Sequence, residues 1–172
     1  DLSAIQSALR DAGVDGWLFY DFHNRDAIAA RILNMDTTRF ASRRWFYYIP
    51  AQGEPQKLVH RIEPWRCDHL PGVKNVYLPW PQLRQLLKDM LGDAKKVAMQ
   101  YSPLNNIPYV SIVDAGTVDL IRSMSAEEAR ERVLQELPNS ALFGAQFRMN
   151  AACALILPRD SQLRKLSIVA GP

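Results

Sequence analysis

Hydrophobic positions in this chain follow two rhythms, one of period two and one of period three to four. The strongest period-two signal lies in residues 43–64, RRWFYYIPAQGEPQKLVHRIEP. Residues 43–49 form an aromatic and β-branched arm, and residues 56–62 form a second arm. Between them Pro50, Gly53 and Pro55 mark a turn, so the stretch predicts a β-hairpin. Along the first arm Arg43, Trp45, Tyr47 and Ile49 fall on one face, and Arg44, Phe46 and Tyr48 on the other. Past the arginines both faces are apolar, the pattern of a central strand covered on both sides. Residues 17–22 (WLFYDF) predict a second central strand, and residues 75–79 and 96–100 predict two shorter ones.

The helical rhythm appears between these strands. Leu2, Ile5, Leu9 and Ala12 share a face over residues 1–12, and Gly13 is a natural stop. Asp26 is placed to cap a short helix over residues 27–33. Pro81 suits a first turn, followed by Leu83, Leu86, Leu87, Met90 and Leu91 on one face and Gly92 as terminator. Residues 102–110 read as a loop with two prolines, and residues 114–124, with Ala115, Val118, Leu120 and Ile121, as a mainly helical pattern. Strands alternating with helices predict an α/β fold, a mixed β-sheet sandwiched by helices, with the hairpin as its antiparallel part.

Residues 125–172 differ in texture. Ser125-Ala126-Glu127-Glu128 is a capping-box pattern opening a helix to about Leu137, which Pro138-Asn139 stops. Residues 151–157 and 166–170 are candidate strands. The expected organisation is one α/β domain over residues 1–124 and an atypical C-terminal extension over residues 125–172. No internal repeat or low-complexity segment is visible.

Composition narrows the class without deciding the function. At 48% hydrophobic and 23% charged residues, the chain has the make-up of a soluble globular protein. Its 21 basic and 18 acidic residues leave a formal charge of +3, which permits an anionic partner but does not demand one. No apolar run reaches the roughly 18 residues of a membrane span. Cys67 and Cys153 stand far apart in sequence, so reduced thiols and a cytoplasmic location are expected, with a disulfide left open. The chain begins at Asp1 rather than methionine, so trimming, processing or renumbering is expected.

Several side-chain groups have both a chemical and a structural reading. His60, Cys67, Asp68 and His69 offer metal donors, but their spacing is not that of a zinc site. The structural reading puts His60 on the second hairpin arm and residues 67–69 in a surface loop. Asp21, His23 and Asp26 cluster after a strand end, where acid–base groups often sit, yet Asp26 serves equally as a helix cap. Neither a GxSxG elbow nor a GxGxxG or P-loop pattern occurs. Arg39, Arg43, Arg44 and Trp45 mix base and aromatic as single-strand nucleic-acid binders do. The aromatics of this stretch are also what the strand core requires. Arg43 and Arg44 precede a buried strand by one or two residues and are expected at the rim of the sheet. Guanidinium groups there suit bidentate binding of a carboxylate, with an internal salt bridge as the competing reading.

The runs GVDGWLFYDFHNRDAIAARIL, RRWFYYIPAQGEPQKLVHRIEP, NVYLPW and VDAGTVDLIRSM, in this order, resemble the N-terminal domain of the creatinase, prolidase and aminopeptidase P family, and in particular Xaa-Pro dipeptidases. The resemblance covers about residues 1–124 and implies a ribonuclease-H-like sandwich. It also implies that catalysis resides in a second, C-terminal metallopeptidase domain, whose carboxylates and histidine hold two divalent metals (Mn, Co or Zn). Residues 125–172 contain no histidine and, past the first turns of their helix, only Glu136 and Asp160 as acids. The chain itself is therefore expected to carry no cofactor and no catalytic centre. By the same resemblance, an N-terminal domain of this kind forms a homodimer and gates substrate. An aromatic and an arginine ahead of its central strand reach a substrate carboxylate. The corresponding positions are Phe40 with Arg43 or Arg44, at a spacing wider than in those relatives. The segment after Met124 departs from the resemblance. The leading expectation is thus a non-catalytic, oligomerising and substrate-gating domain of an Xaa-Pro dipeptidase-like protein. A stand-alone module for small carboxylates or peptides is the alternative, and nucleic-acid binding is a weaker third.

Overall fold

The computed structural model describes residues 1–124, and the capping-box helix and later strands read from sequence lie outside the described residues. The chain runs α1 (Leu2–Asp11), β1 (Gly16–Asp21), α2 (Ala27–Ile32), β2 (Trp45–Pro50), β3 (Gln56–His60), β4 (Val73–Tyr77), α3 (Trp80–Leu91), β5 (Val97–Ala98) and α4 (Ala115–Ser123). Two 3-10 turns, Pro103–Asn105 and Pro108–Val110, occupy the predicted loop before α4.

The strands form one mixed sheet in the order β4-β3-β2-β1-β5. The β2–β3 hairpin is antiparallel, and β2 also pairs antiparallel with β1, so β2 is the middle strand. β3 pairs parallel with β4, and β1 pairs parallel with β5. Alternation along the two central strands divides the core. Leu18, Tyr20, Phe46 and Tyr48 face one layer with Leu83, Leu87 and Met90 of α3 and Val118 and Ile121 of α4. Trp17, Phe19, Trp45, Tyr47 and Ile49 face the other, with Ala8 and Leu9 of α1 and Ala29 of α2. The sheet is therefore sandwiched by helices, and the two-sided apolar pattern of residues 45–49 has its physical reason here.

Local signals set the element ends. The Asp1 side chain caps α1 by accepting from the Ser3 N–H. Gly13, at φ +64°, closes the helix, with Gly13 N–H donating to Arg10 O and Val14 N–H to Leu9 O. Asp26 and Asp114 cap α2 and α4 by accepting from the Ala29 and Thr117 N–H groups. Gly72, at φ +109°, lies so close to the chain entering β3 that an added Cβ would fall 2.1 Å from the Pro55 carbonyl oxygen. This close approach brings the Val73 N–H to Pro55 O and starts the β3–β4 pairing.

Two expectations need correction. The strand predicted over residues 96–100 pairs only through Val97 and Ala98. The Lys95 and Lys96 N–H groups donate to Asp15 Oδ2, and the Gln100 carbonyl accepts from Ile112 and Val113, so the chain leaves the sheet quickly at both ends. The surface-loop reading of residues 67–69 fails at Cys67, which is 1% exposed and packs with the α1–α2 side of the core. Burial pushes its thiol up to about 12, which keeps it protonated and unreactive. A left-handed backbone at Cys67 (φ +68°) turns this one side chain inward from an otherwise polar stretch.

Candidate functional site

The sheet register creates a cleft at one edge. Asp21, the last residue of β1, lies opposite Trp45, the first of β2, while His60 and Tyr77 end β3 and β4 side by side. Residues just before Trp45 and just after Asp21 and Tyr77 therefore gather at the same end of the sheet. There they enclose a cleft of about 580 Å³. Its basic groups are Arg25, Arg43 and Arg44; its aromatic and apolar walls are Tyr20, Phe22, Tyr77, Leu78 and Trp80; Ser42, His60 and Asp114 complete it.

Each arginine is held differently. The Arg43 Nη1 donates to the Ser42 carbonyl at 2.9 Å. Ser42 is itself fixed, because its N–H and hydroxyl both donate to Glu63 Oε1. Burial alone would push the Glu63 carboxyl up, but these two Ser42 bonds and nearby Arg66 hold it below its ordinary range. The Arg44 carbonyl accepts from the Tyr77 hydroxyl at 2.8 Å, and its guanidinium lies over the Trp80 ring, 4.4 Å from the centroid. Arg25 approaches Asp114, with Nη2 to Oδ2 at 3.7 Å. Three guanidinium groups thus face one carboxylate, and that carboxylate is already engaged by Thr117 and Arg25.

The remaining groups are tuned by the same surroundings. Burial pushes the Tyr77 phenol up to about 12, against the opposing pull of Arg44 and Arg43. Tyr20 is raised, first by burial, and lies within reach of Thr117 and Asp114. His60 Nδ1 accepts from the Ile62 N–H at 3.0 Å. Burial and then the charge of Arg43 lower its affinity for a proton, so the ring is neutral at pH 7. The cleft therefore presents fixed positive charge, neutral hydrogen-bonding groups and flat apolar walls. That combination suits an anion attached to an apolar body.

The structure brings Arg43 and Arg44 together in this cleft. Phe40 lies outside the cleft lining and is 74% exposed. It is linked to the cleft through an aromatic ladder: its ring meets His23 edge-on at 5.4 Å, and His23 packs against Phe22 at 4.0 Å. Arg39 pairs with exposed Asp36, and Trp45 is buried in the core. The Asp21–His23–Asp26 cluster is structural. Asp21 Oδ1 accepts from the N–H groups of Arg25 and Asp26, and Asp26 caps α2. The donors at residues 60–69 do not fit a metal. Cys67 faces the core, the His60 Nδ1 is occupied, Asp68 binds Lys74, and His69 Nε2 contacts the Leu33 carbonyl. Among the described residues no three His, Cys, Asp or Glu side chains converge on a metal position, and no helix is long and apolar enough to cross a membrane.

Tyr20, Arg25, Tyr77, Trp80 and Asp114 carry no site signal in the sequence. They come from separate elements that only the strand order assembles. For Asp114 a capping signal is present, since Asp-x-x-Thr is a helix-cap pattern placed directly before an apolar helix.

The family described as DEAD/H associated matches residues 82–169, just over half of the chain. Over this span the chain belongs to the DEAD/H associated family. The DEAD/H associated span takes in most of α3, all of β5 and α4, and the segment that departs from the creatinase/prolidase resemblance. No curated protein matches the chain in sequence. Among solved structures, a proline dipeptidase from Streptococcus pneumoniae TIGR4 aligns with TM-score 0.51 and 18% identity, over 72% of this chain and 84% of its own. A proline dipeptidase from Streptococcus agalactiae 2603V gives TM-score 0.51 and 16% identity, over 72% and 85%. The creatinase/prolidase N-terminal domain of an X-Pro dipeptidase from Streptococcus pyogenes gives TM-score 0.50 and 15% identity, over 72% and 86%. The described α/β domain has the fold of these creatinase/prolidase N-terminal domains.

Proposed function

We propose that the α/β domain is a non-catalytic, substrate-positioning domain of the Xaa-Pro dipeptidase type, and that its cleft receives a small carboxylate, such as the C-terminus of a dipeptide. The observation that carries this reading is the meeting of Arg43 and Arg44 in a cleft with an excess of guanidinium groups. A carboxylate accepting bonds from a fixed guanidinium is a strong, directional pairing. The fold supports the assignment to the N-terminal part of such a protein. The two divalent metals and the bond-breaking step belong to a separate metallopeptidase domain, and a homodimer is the assembly in which the cleft would serve a neighbouring subunit.

The test is calorimetric titration of the full chain with glycyl-L-proline and L-proline. Saturable binding is expected, and Arg44→Ala is expected to weaken it by about tenfold or more, as loss of a charge-assisted hydrogen bond does. Arg43→Ala should act in the same direction. Equal binding by wild type and both variants would remove the carboxylate role. The chain with added Mn²⁺ or Co²⁺ is expected not to hydrolyse glycyl-L-proline; metal-dependent turnover would overturn the non-catalytic assignment.

The DEAD/H associated match favours a second reading for residues 82–169, as a segment that works alongside a DEAD/H protein. Co-expression with such a protein would then yield a complex that deletion of residues 125–172 weakens. Separate elution of the two proteins would dismiss it.

A further inference from the structure

We infer that Trp80 is a positioning residue for the anion in this cleft, acting through Arg44; the inference rests on the carboxylate reading above. Trp80 is the first residue of α3, set between Pro79 and Pro81. Pro79 is extended (φ −85°, ψ 158°), and the Leu78 N–H is taken by Gln82 Oε1 at 2.9 Å, so the entry to the helix is pinned on both sides of the indole. The ring remains 43% exposed, and the Arg44 guanidinium covers its face at 4.4 Å.

This leaves Arg44 held at both ends. Its carbonyl is fixed by the Tyr77 hydroxyl, and its guanidinium by the indole. Among the described residues no carboxylate lies within ion-pair distance of Arg44. A guanidinium held over a ring by cation–π attraction still has N–H donors to offer a carboxylate. An arginine held in advance also loses less side-chain entropy when an anion arrives. Nothing in the spacing of Trp80 joins it to Arg44, which lies 36 positions earlier in the chain.

The test uses the full chain and glycyl-L-proline, with wild type, Trp80→Ala, Trp80→Phe, Arg44→Ala and the Trp80→Ala/Arg44→Ala double variant. Trp80→Ala is expected to weaken binding about two- to fivefold, the scale of an exposed cation–π contact. Trp80→Phe should restore most of that loss, since it keeps an aromatic face. The double variant should bind no more weakly than Arg44→Ala, because Trp80 acts through Arg44. Melting temperatures serve as the control. A purely structural Trp80 would lower the melting temperature in Trp80→Ala, and its binding loss would add to that of Arg44→Ala. That result overturns the inference. Unchanged binding in Trp80→Ala together with loss in Arg44→Ala also overturns it, while leaving the carboxylate reading intact. No binding by wild type, or binding indifferent to Arg43→Ala and Arg44→Ala, removes both.

Discussion

Phe46→Ala is expected to cost about 3–5 kcal/mol of stability, the range for removing a fully buried aromatic side chain. Phe46 is 0% exposed and lies in the middle strand of the sheet, with Tyr20 and Leu58 as its cross-strand partners in β1 and β3. Its ring meets that of Tyr20 at 5.1 Å and packs in the layer closed by α3 and α4. No neighbour can collapse into the space, because paired strands flank it on both sides and helices cover it. A domain of this size is stable by roughly 5–15 kcal/mol, so the substitution consumes a large share of that margin. Phe40→Ala provides the contrast: its side chain is mostly exposed, and a change within about 0.5 kcal/mol is expected. Urea unfolding of both variants decides the matter. Similar midpoints for the two would mean that the central strand is not packed as described.

These two phenylalanines, six residues apart, show what could be read from the chain. Alternation identified Phe46 as a core residue, because both neighbours in the strand are aromatic and the run is bounded by Pro50 and Gly53. Hydrophobicity alone would have treated Phe40 the same way, but it lies in an irregular segment among Arg39, Ser42 and Arg43. The hairpin, the helix-capping role of Asp26 and the inward face of α3 were all legible, since each depends on residues within a few positions of one another. Cys67 was not, because its inward turn comes from a single left-handed backbone conformation.

The cleft was legible only at its rim. Arg43 and Arg44 could be placed there because the strand they precede is buried and they cannot follow it inward. Tyr77 and Trp80 could not be joined to them. Their meeting with Arg44 depends on β4 lying parallel beside β3, which rests on the Gly72 approach to Pro55. Sequence spacing carries no trace of that contact. The same limit applies to Arg25 and Asp114, which belong to a loop after β1 and to the cap of α4 and pair across the end of the sheet.

Asp26→Asn is expected to change how stability depends on pH. The Asp26 carboxyl is buried, with Oδ1 accepting from Ala29 N–H and Oδ2 without a hydrogen-bond partner among the described residues. Burial first, and then the negative charge of Asp21, raises it from the ordinary 3.8 to about 6, against the pull of the Ala29 N–H. The folded state therefore binds this proton more tightly than the unfolded chain does. Stability from this group is complete below pH 4 and is lost as pH rises through 6, by about 3 kcal/mol in all. Glu63 and Asp114, whose carboxyls are held low, act in the opposite direction and lose stabilisation on acidification. The difference between wild type and variant isolates Asp26 from them. Asparagine keeps an oxygen to cap α2 and carries no charge, so Asp26→Asn should gain on wild type as pH rises from 4 to 7.5. Urea midpoints at pH 4 and 7.5 give the result. Any cost of burying the asparagine N–H₂ group enters equally at both pH values and cancels in the comparison. Parallel pH curves would place the Asp26 carboxyl near its ordinary value and its Oδ2 in contact with water. A growing gap would mean that the loop carrying Arg25 into the cleft is anchored by a carboxylate held ionised at neutral pH at the expense of the fold, because the N-terminus of α2 and the Asp21 bridge position it there.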